Sequence, residues 1–242
     1  MTDVDLLRAN TAAPSGGWRR SVVLSVSRPA PRYVILRLDV DDRIPHLPGQ
    51  HYVVRLTAED GYTASRSYSV ASAPSDDAVE LCVEELADGE VSGFLADGIQ
   101  VGDELEVRGP IGGWFVWDGA SPALAVGGGT GVVPLVSMLR HARETGARDL
   151  VCLVAAARHR SDLPYVDEIL AGCNAIVLSR ERSPSGRAAG RIATSDLQPF
   201  VREGQTCYVC GSAGFAETAS RLLVDIGLPA TDVRVERFGP SS

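Results

Sequence analysis

Two short, well-separated segments contain the residues best suited to chemistry. The first, residues 66–69, reads Arg-Ser-Tyr-Ser and places a cation, an aromatic ring and two hydroxyls on a predicted strand. Because side chains alternate along a strand, Arg66 and Tyr68 share one face, whereas Ser67 and Ser69 share the other. This pattern suits a planar aromatic cofactor that carries a phosphate. The ring can stack on Tyr68, the guanidinium can bind the phosphate, and a hydroxyl can bond to a ring heteroatom.

The second segment, residues 127–134, reads Gly-Gly-Gly-Thr-Gly-Val-Val-Pro. It follows the apolar run 122–126 and opens a helical pattern. A phosphate-binding glycine turn has the same position between a strand and a helix, where its backbone can approach a pyrophosphate at the helix N-terminus. The run alone is equally consistent with a tight turn that binds nothing. The order and spacing of the two segments favour ligand binding, because further motifs fall into place around them.

The composition is that of a soluble globular protein with room for two domains. The chain has 242 residues, 22% of them charged, and no apolar run is long enough to cross a bilayer. Residues 1–17 lack the apolar core of a signal peptide, so we expect a loose tail and a cytoplasmic location. The net charge of −8 disfavours nucleic acid and anionic membranes as partners.

The five cysteines are expected to be reduced thiols, because their number is odd and their spacing is scattered. Cys207 and Cys210 have the spacing of a redox or zinc pair, but they lie in a predicted buried strand, where positions three apart point to opposite faces. Since no second pair completes a metal site, we predict no bound metal. The cysteine run that would hold an iron–sulfur cluster is also missing from the sequence.

The first half of the chain reads as short strands separated by turn residues, a pattern that predicts an antiparallel β-barrel. One helical segment, residues 91–97, interrupts the strands. The predicted strands are residues 21–27, 33–40, 51–56, 67–71, 79–84 and 104–108.

In the second half, apolar runs alternate with helical patterns, which predicts a parallel sheet with ligand sites at the carboxyl ends of its strands. Asp162, followed by an early proline, is expected to open one helix. The predicted strands are residues 123–126, 150–155, 175–178, 207–210 and 233–235, and the clearest helices are 132–143 and 215–226. We therefore divide the chain into a tail (1–17), a β-barrel domain (18–118) and an α/β domain (119–242).

From Trp18 to Gly239 the chain resembles the ferredoxin–NADP reductase family. The resemblance implies a six-stranded Greek-key flavin barrel followed by a Rossmann-like parallel-sheet domain for a nicotinamide nucleotide. One departure is Ser212, which stands where the family usually has proline. The segments that carry the resemblance are residues 48–51, 66–69, 89–92, 109–115, 127–134, 210–212 and 236–239.

For the flavin, the resemblance assigns Arg66 to a phosphate, Tyr68 to the ring face and Ser69 to a hydrogen bond near N5. The alternative for Tyr68 is a place in the barrel core. Residues 89–92 would offer a helix N-terminus to a phosphate, with simple N-capping as the alternative. The implied flavin residues are Gln50, His51, Arg66, Ser67, Tyr68, Ser69, Val83, Glu84, Gly89, Val91, Ser92 and Phe238, of which Val83 and Glu84 would act through their backbone.

For the nicotinamide nucleotide, the resemblance assigns the glycine run to the pyrophosphate and the arginines after the third strand to a 2′-phosphate. The alternative is that these arginines only solvate the loop 181–190. The implied residues are Gly128, Gly129, Thr130, Gly131, Arg158, Ser179, Arg180, Arg187, Cys210 and Gly211. The implied catalytic residues are Ser69, Cys210, which would lie near the nicotinamide C4, and Glu236.

The resemblance implies a flavin-dependent NAD(P)H oxidoreductase that uses FAD rather than FMN and NADPH rather than NADH. Hydride would pass from NADPH to flavin N5. Single electrons would then pass to a separate acceptor such as a ferredoxin that serves an oxygenase, because the sequence holds no iron–sulfur segment. The alternatives are a docked electron-transfer subunit, a ferric or free-flavin reductase, and a sensor with negligible turnover. We expect a monomer.

Overall fold

The structure is a computed structural model that describes residues 17–30, 32–171 and 174–239. The chain divides into two compact units between Asp118 and Gly119. The predicted tail lies outside the described residues except for Gly17, and Cys173 lies outside them as well. Within the described ranges, no helix is both long enough and apolar enough to cross a membrane.

The described part of the first unit forms a six-stranded antiparallel sheet. Its strands are β1 (Arg19–Ala30), β2 (Tyr33–Val40), β3 (His51–Thr57), β4 (Thr63–Ser69), β5 (Val79–Glu84) and β6 (Glu104–Ile111). They follow one another as β4-β3-β6-β1-β2-β5, and an antiparallel bridge between Val70 and Leu81 links the two ends of the sheet. The insertion of β6 between β3 and β1 gives a Greek-key order, which confirms the predicted six-stranded Greek-key barrel.

Alternation along the strands fills the barrel with apolar side chains. In β2, Leu36, Leu38 and Val40 are buried, whereas Arg37 and Asp39 between them are exposed. Each fully buried aliphatic side chain stabilises the barrel by roughly 1.5–3 kcal/mol relative to exposure in water.

A short helical segment packs against the barrel core. Helix α1 (Glu90–Gly93) continues as a π-helix, Phe94–Gly98, and both Val91 and Leu95 are buried in the core. The predicted helical segment 91–97 falls within these two helices.

Strand β4 begins and ends earlier than the predicted strand 67–71. Residues 63–66 join the strand although their side chains show no apolar alternation, because the backbone pairs with β3 throughout. Ala71 leaves this pairing, and its N–H donates instead to the carbonyl of Glu80 in β5 at 2.8 Å. The chain turns at this point to close the sheet.

The described part of the second unit is a five-stranded parallel sheet with helices, as predicted. Its strands are β7 (Ala123–Gly128), β8 (Val151–Ala157), β9 (Ala175–Leu178), β10 (Thr206–Ser212) and β11 (Val233–Phe238), in the order β11-β10-β7-β8-β9. Its α-helices are α2 (Val133–Glu144), α3 (Val166–Leu170), α4 (Thr194–Leu197) and α5 (Ala213–Asp225). Because the strands run parallel, their carboxyl ends meet at one edge of the sheet.

The helix predicted to open at Asp162 begins at Val166 instead. Arg160–Asp162 is a 3-10 turn in which the Asp162 carboxylate accepts the N–H of His159 at 3.1 Å. Tyr165 then adopts φ 60°, a left-handed conformation that separates the turn from α3. The other 3-10 turns of the second unit are Gly129–Val132, Arg148–Leu150, Gln198–Phe200 and Ala230–Asp232.

Candidate functional site

Strand β4 presents the tyrosine of the predicted flavin segment half-buried and the arginine exposed. Tyr68 lies opposite Tyr52 of β3 and Arg66 lies opposite Val54, so both side chains share the face that carries core residues. The Tyr68 hydroxyl is buried without a hydrogen bond to any described residue, and burial raises the pKa of Tyr68 well above its ordinary value. A ligand at this face would meet a neutral phenol and, at Arg66, an accessible cation.

Ser69 and His51 are paired across the same two strands. Ser69 is buried, whereas Ser67, two residues earlier on the same face of β4, is exposed. Burial lowers the pKa of His51, so its imidazole is neutral near pH 7. The pairing therefore brings together a hydroxyl and a neutral ring, both of which can bond to an uncharged heteroaromatic group.

The side chain of Gln50 braces the barrel and does not line an open site. Its amide oxygen accepts the N–H of Leu47 at 2.8 Å, and its amide nitrogen donates to the carbonyl of Gly112 at 2.6 Å. The residue is 1% exposed. The side chain of Gln50 thus ties two loops together, and the expectation that Gln50 lines the flavin stays a prediction.

The segment 89–92 turns its hydroxyl inward. Ser92 is buried, and its Oγ lies 3.4 Å both from the N–H of Leu86 and from the carbonyl of Gly89. A Cβ at Gly89 would overlap this Oγ, so a larger residue at position 89 would force the Ser92 side chain to move. Since the Ser92 hydroxyl points inward, what this segment offers to a phosphate is backbone N–H groups, and the assignment of Ser92 to the flavin stays a prediction. The side-chain N-cap is corrected as well, since Gly89 precedes α1 without one.

Three further predicted flavin residues have side chains that are engaged elsewhere. Val83 and Val91 are both buried in the barrel core. Glu84 forms an ion pair with Arg32 at 2.6 Å. Any contact of these three residues with a cofactor would have to come from the backbone, which is how the sequence analysis assigned Val83 and Glu84.

The carboxyl edge of the second sheet gathers residues that are widely spaced in the sequence. The glycine turn follows β7, Arg158 follows β8, and Ser179 with Arg180 follows β9. Cys210 and Gly211 lie at the end of β10, and Glu236 and Phe238 lie at the end of β11. An open parallel sheet binds its ligands at this edge.

The glycine turn is shaped by contacts within the protein as well as by space for a ligand. A Cβ at Gly131 would overlap the carbonyl oxygen of Cys210, and a Cβ at Gly128 would lie 2.6 Å from the ring of Phe215. Gly129 differs, because it has φ 56° and would carry a Cβ into open space. Gly128 and Gly131 therefore fit a tight turn packed within the protein, whereas Gly129 faces open space and fits a turn that binds a ligand.

Cys210 and Glu236 are direct neighbours in the parallel pairing of β10 and β11. Cys210 is fully buried, and burial together with the charge of Glu236 raises the pKa of its thiol well above 9.0. Burial also raises the pKa of Glu236 to about 7. Its Oε2 is buried without a hydrogen bond to any described residue. The pair thus combines a neutral thiol with a carboxyl group that can hold a proton near neutral pH.

Ser212 replaces the usual proline of the family without disturbing the local turn. Its hydroxyl caps α5 by accepting the N–H of Phe215 at 3.4 Å. In the β10–β11 pairing Ser212 lies opposite Phe238, which is partly exposed.

Arg158 and Arg180 are close neighbours at the ends of β8 and β9. The N–H of Arg180 donates to the carbonyl of Arg158 at 3.0 Å, and the N–H of Ser179 donates to Ala157 at 2.9 Å. Arg158 is 55% exposed, and its Nε lies 3.8 Å from Asp162. Both guanidinium groups are therefore accessible to an anion at this edge.

The internal hydrogen bonds of Arg187 argue against its predicted role as a phosphate ligand. Its Nε and Nη2 bind both carboxylate oxygens of Asp196, at 2.5 and 2.7 Å. The remaining donors reach the carbonyls of Ala188, Gly190 and Arg191 at 2.9–3.1 Å. A guanidinium that is saturated in this way has no donor left for a phosphate.

Sequence reasoning missed Ser183 and Asp196, which hold the segment after β9. Ser183 is buried and its Oγ accepts the N–H of Leu178 at 3.1 Å. Asp196 also accepts the N–H of Ala193 at the start of α4 at 2.9 Å. The only signal in the sequence is the acidic residue in the first turn of a short helix, and it does not reveal which arginine the carboxylate binds.

Comparisons with known proteins identify both domains. Residues 24–116 match the family described as "Oxidoreductase FAD-binding domain", and residues 125–221 match "Oxidoreductase NAD-binding domain". The chain is 30% identical over 236 residues to the reductase component of propane 2-monooxygenase from Mycolicibacterium goodii, covering 90% of this chain and 67% of the relative. It is 32% identical over 209 residues to the corresponding component from Rhodococcus jostii strain RHA1, covering 79% of this chain but only 55% of the relative.

A similar fold is found in a solved structure of a ferredoxin NADP+ reductase from Neisseria gonorrhoeae with bound FAD and NADP. The TM-score is 0.79 at 19% identity, over 92% of this chain and 99% of that one. The two matched domains stand in the order that the sequence motifs predicted, and each corresponds to one unit of the structure. The chain therefore belongs to the ferredoxin–NADP reductase family.

Proposed function

We propose that this chain is a flavin-dependent NAD(P)H oxidoreductase that binds FAD, prefers NADPH and passes electrons to a separate acceptor protein. One observation carries the proposal more than any other. In the second unit, the strand ends gather an open glycine turn, exposed arginines, and the buried thiol of Cys210 beside the partly buried carboxyl group of Glu236, at the edge where parallel sheets bind ligands. The match to an NAD-binding domain over the same unit supports this assignment.

The residues of the first unit fit a flavin in their chemistry. Arg66 would bind the phosphate through charge-assisted hydrogen bonds, and Tyr68 would support the ring with its half-buried face. Ser69 and the neutral His51 would bond to ring heteroatoms. A bound flavin supplies the redox chemistry, while the protein contributes position and electrostatics. FAD is favoured over FMN by the match to an FAD-binding domain.

In the second unit, Cys210 and Glu236 would flank the nicotinamide. Cys210 remains a neutral thiol that shapes the pocket, because burial and the nearby carboxylate both oppose its ionisation. Glu236 holds a proton up to about pH 7 and so presents either a donor or an acceptor near neutral pH.

A preference for NADPH is supported by Ser179, Arg180 and Arg158. A dianionic 2′-phosphate needs one or two guanidinium groups that are not neutralised by carboxylates. Among the described residues, no carboxylate forms a salt bridge with Arg180, and Arg158 is only loosely paired with Asp162 at 3.8 Å. Arg187 is not part of this proposal, because Asp196 occupies it.

A separate one-electron acceptor is supported by two relatives that are reductase components of a monooxygenase. The chain spans only 55% of one and 67% of the other, so the identity of the acceptor is a proposal of its own. We assign the acceptor role to a ferredoxin that serves an oxygenase, because both relatives are components of a monooxygenase system.

The decisive test is purification followed by an absorbance spectrum and rapid-mixing reduction with NADPH and NADH. The expected result is a flavin spectrum, extraction of FAD, and faster bleaching by NADPH at equal concentration. A colourless protein that cannot be reconstituted with FAD or FMN would refute the proposal. Faster bleaching by NADH would refute only the nucleotide preference.

The other candidate functions make different predictions in the same preparation. A sensor would bind flavin and nucleotide but fail to reduce a dye acceptor at a steady rate. A ferric or free-flavin reductase would reduce those acceptors without a ferredoxin, whereas the proposed enzyme should reduce cytochrome c rapidly only when a plant-type ferredoxin is added. A docked subunit would copurify with its partner enzyme.

A further inference from the structure

The segment after β9 is a closed structure organised by one side chain. The carbonyl of Arg187 accepts the N–H of Ser183, and its guanidinium binds Asp196 and three backbone carbonyls. The Asp196 side chain is 9% exposed and that of Arg187 is 25% exposed. Most residues of the segment are exposed, but its centre is held by these hydrogen bonds, and the charge of Arg187 is neutralised by a largely buried carboxylate.

This structure fixes the residue immediately before the proposed phosphate ligands. The N–H of Leu178 donates to the Ser183 hydroxyl at 3.1 Å, and the carbonyl of Leu178 accepts the N–H of Gly190 at 3.0 Å. The carbonyl of Gly190 is in turn bound by Arg187 at 3.1 Å. A continuous chain of hydrogen bonds thus runs from Asp196 through Arg187 to the peptide unit that precedes Ser179.

We propose that Arg187 and Asp196 form a brace that determines discrimination between nucleotides with and without a 2′-phosphate. The brace acts by holding the end of β9 so that Ser179 and Arg180 keep one geometry at the carboxyl edge. Both brace residues are positioning residues, since neither would touch the nucleotide. This inference rests on the proposed 2′-phosphate site at Ser179 and Arg180.

The alternative is that Arg187 binds the phosphate directly after it leaves Asp196. The two interpretations predict opposite effects of Asp196→Asn. The amide keeps the size of the carboxylate but has one acceptor oxygen instead of two and no charge, so the two-oxygen pairing with the guanidinium is lost. If Arg187 is a ligand that Asp196 restrains, its release should strengthen phosphate binding. If Arg187 is a brace, its release should loosen the end of β9 and weaken phosphate binding.

The readout is calorimetric binding of 2′,5′-ADP and of ADP to the flavin-loaded chain. For Asp196→Asn we expect the affinity for 2′,5′-ADP to fall about tenfold, the size of effect expected when one charge-assisted hydrogen bond is lost. The affinity for ADP should stay within about twofold of wild type. KM for NADPH should rise by the same factor, while kcat and KM for NADH stay unchanged.

Asp167→Asn is the matched control. Asp167 also pairs with an arginine, Arg160, at 3.0 Å, but its side chain is 89% exposed. The variant Asp167→Asn makes the same chemical change and the same change in net charge outside the brace. It should therefore leave the ratio of the affinities for 2′,5′-ADP and ADP unaltered. A loss of discrimination equal to that of Asp196→Asn would overturn the brace, because charge alone would then explain the effect.

Hydrogen exchange provides a readout that does not depend on the nucleotide. In Asp196→Asn, the amides of Ser183 and Gly190 should exchange at least about tenfold faster, because their acceptors are no longer held. Unchanged exchange, a gain in 2′,5′-ADP affinity, or an equal loss for 2′,5′-ADP and ADP would each overturn the proposal.

Two further results separate this inference from the function on which it rests. If Asp196→Asn does not fold, Ser183→Ala removes the acceptor of the Leu178 N–H without a change in charge. It should reproduce the selective loss, and retention of full discrimination would overturn the brace. If wild type binds 2′,5′-ADP no better than ADP, the proposed NADPH preference itself is wrong. If wild type discriminates and the variants do too, only the brace is wrong.

Discussion

The carboxyl group of Glu236 should make the second unit less stable as the pH rises. Burial raises the pKa of Glu236 from 4.5 to about 7 in the folded protein. Below pH 4.5 the group is protonated in both the folded and the unfolded chain, so it costs nothing. Above pH 7 it is charged in both, and burial of the charge destabilises the folded state. Stability is therefore lost as the pH rises from 4.5 through 7.

The magnitude follows from the two pKa values. The destabilisation by Glu236 grows from about 1 kcal/mol at pH 5 to about 3 kcal/mol at pH 8. Glu236→Gln removes the charge while keeping the shape and one donor. The variant should therefore approach wild-type stability at pH 4 and exceed it by about 3 kcal/mol at pH 8.

Urea unfolding followed by far-ultraviolet circular dichroism measures this difference, because the long helices α2 and α5 both lie in the second unit. Glu217→Gln is the control, since Glu217 is 72% exposed and pairs with Arg221 on the surface of α5. That variant should show no comparable rise between pH 5 and pH 8. A stability gain for Glu236→Gln that is the same at both pH values would refute the assignment of a proton-holding carboxyl to this position.

Three more predictions concern single side chains of the candidate sites. Arg66→Ala should lower flavin affinity at least about tenfold, measured by fluorescence titration, and leave the unfolding midpoint within experimental error, because the guanidinium is exposed; undiminished affinity would remove the phosphate assignment. Gly131→Ala should destabilise the second unit by at least about 2 kcal/mol in a urea titration, because the new methyl group overlaps the carbonyl oxygen of Cys210. In the same titration Gly214→Ala in α5 should be neutral or stabilising, because a Cβ there meets open space. The Cys210 thiol, whose pKa is raised by burial, should resist iodoacetamide at pH 8 until the protein is unfolded, as judged by peptide mass spectrometry, and labelling of the native protein would contradict its burial.

Most of the fold could be predicted from sequence because the signals are local. The alternation of apolar and polar residues in β2 predicted a strand with the bounds Tyr33–Val40, and the apolar run of β9 predicted Ala175–Leu178. The change of period in the second half predicted the parallel sheet. One helix start was predicted wrongly, because it depends on the backbone conformation of a single residue. The helix expected at Asp162 was delayed to Val166 by a left-handed residue, Tyr165, which no periodicity reveals.

The candidate site was predicted less completely, because the partner of a polar side chain is not a local property. Arg187 and Arg180 are equally plausible phosphate ligands in sequence, yet Asp196 binds one and leaves the other. Gln50 has an amide side chain that could bind a ligand, but its amide nitrogen donates to the carbonyl of Gly112. Distinguishing such cases requires the fold, since each partner is brought into contact only when the chain folds.

Buried polar atoms without partners provide an independent reason to connect the two candidate sites with ligands. Folded proteins satisfy nearly all such atoms, so each exception needs an explanation. Among the described residues, the unpaired buried atoms include the hydroxyl of Tyr68 and the Oε2 of Glu236. Tyr52 and Ser220 also have one, so the lack of a partner does not by itself mark a site. Tyr68 and Glu236 are of interest because each adjoins residues of the candidate sites: Tyr68 lies next to Ser69 in β4, and Glu236 pairs with Cys210. A cofactor that supplied the missing partners would stabilise the folded chain. Flavin and nucleotide should therefore each raise the unfolding midpoint of wild type. The rise caused by flavin should be smaller in Tyr68→Phe than in wild type, and the rise caused by nucleotide should be smaller in Glu236→Gln.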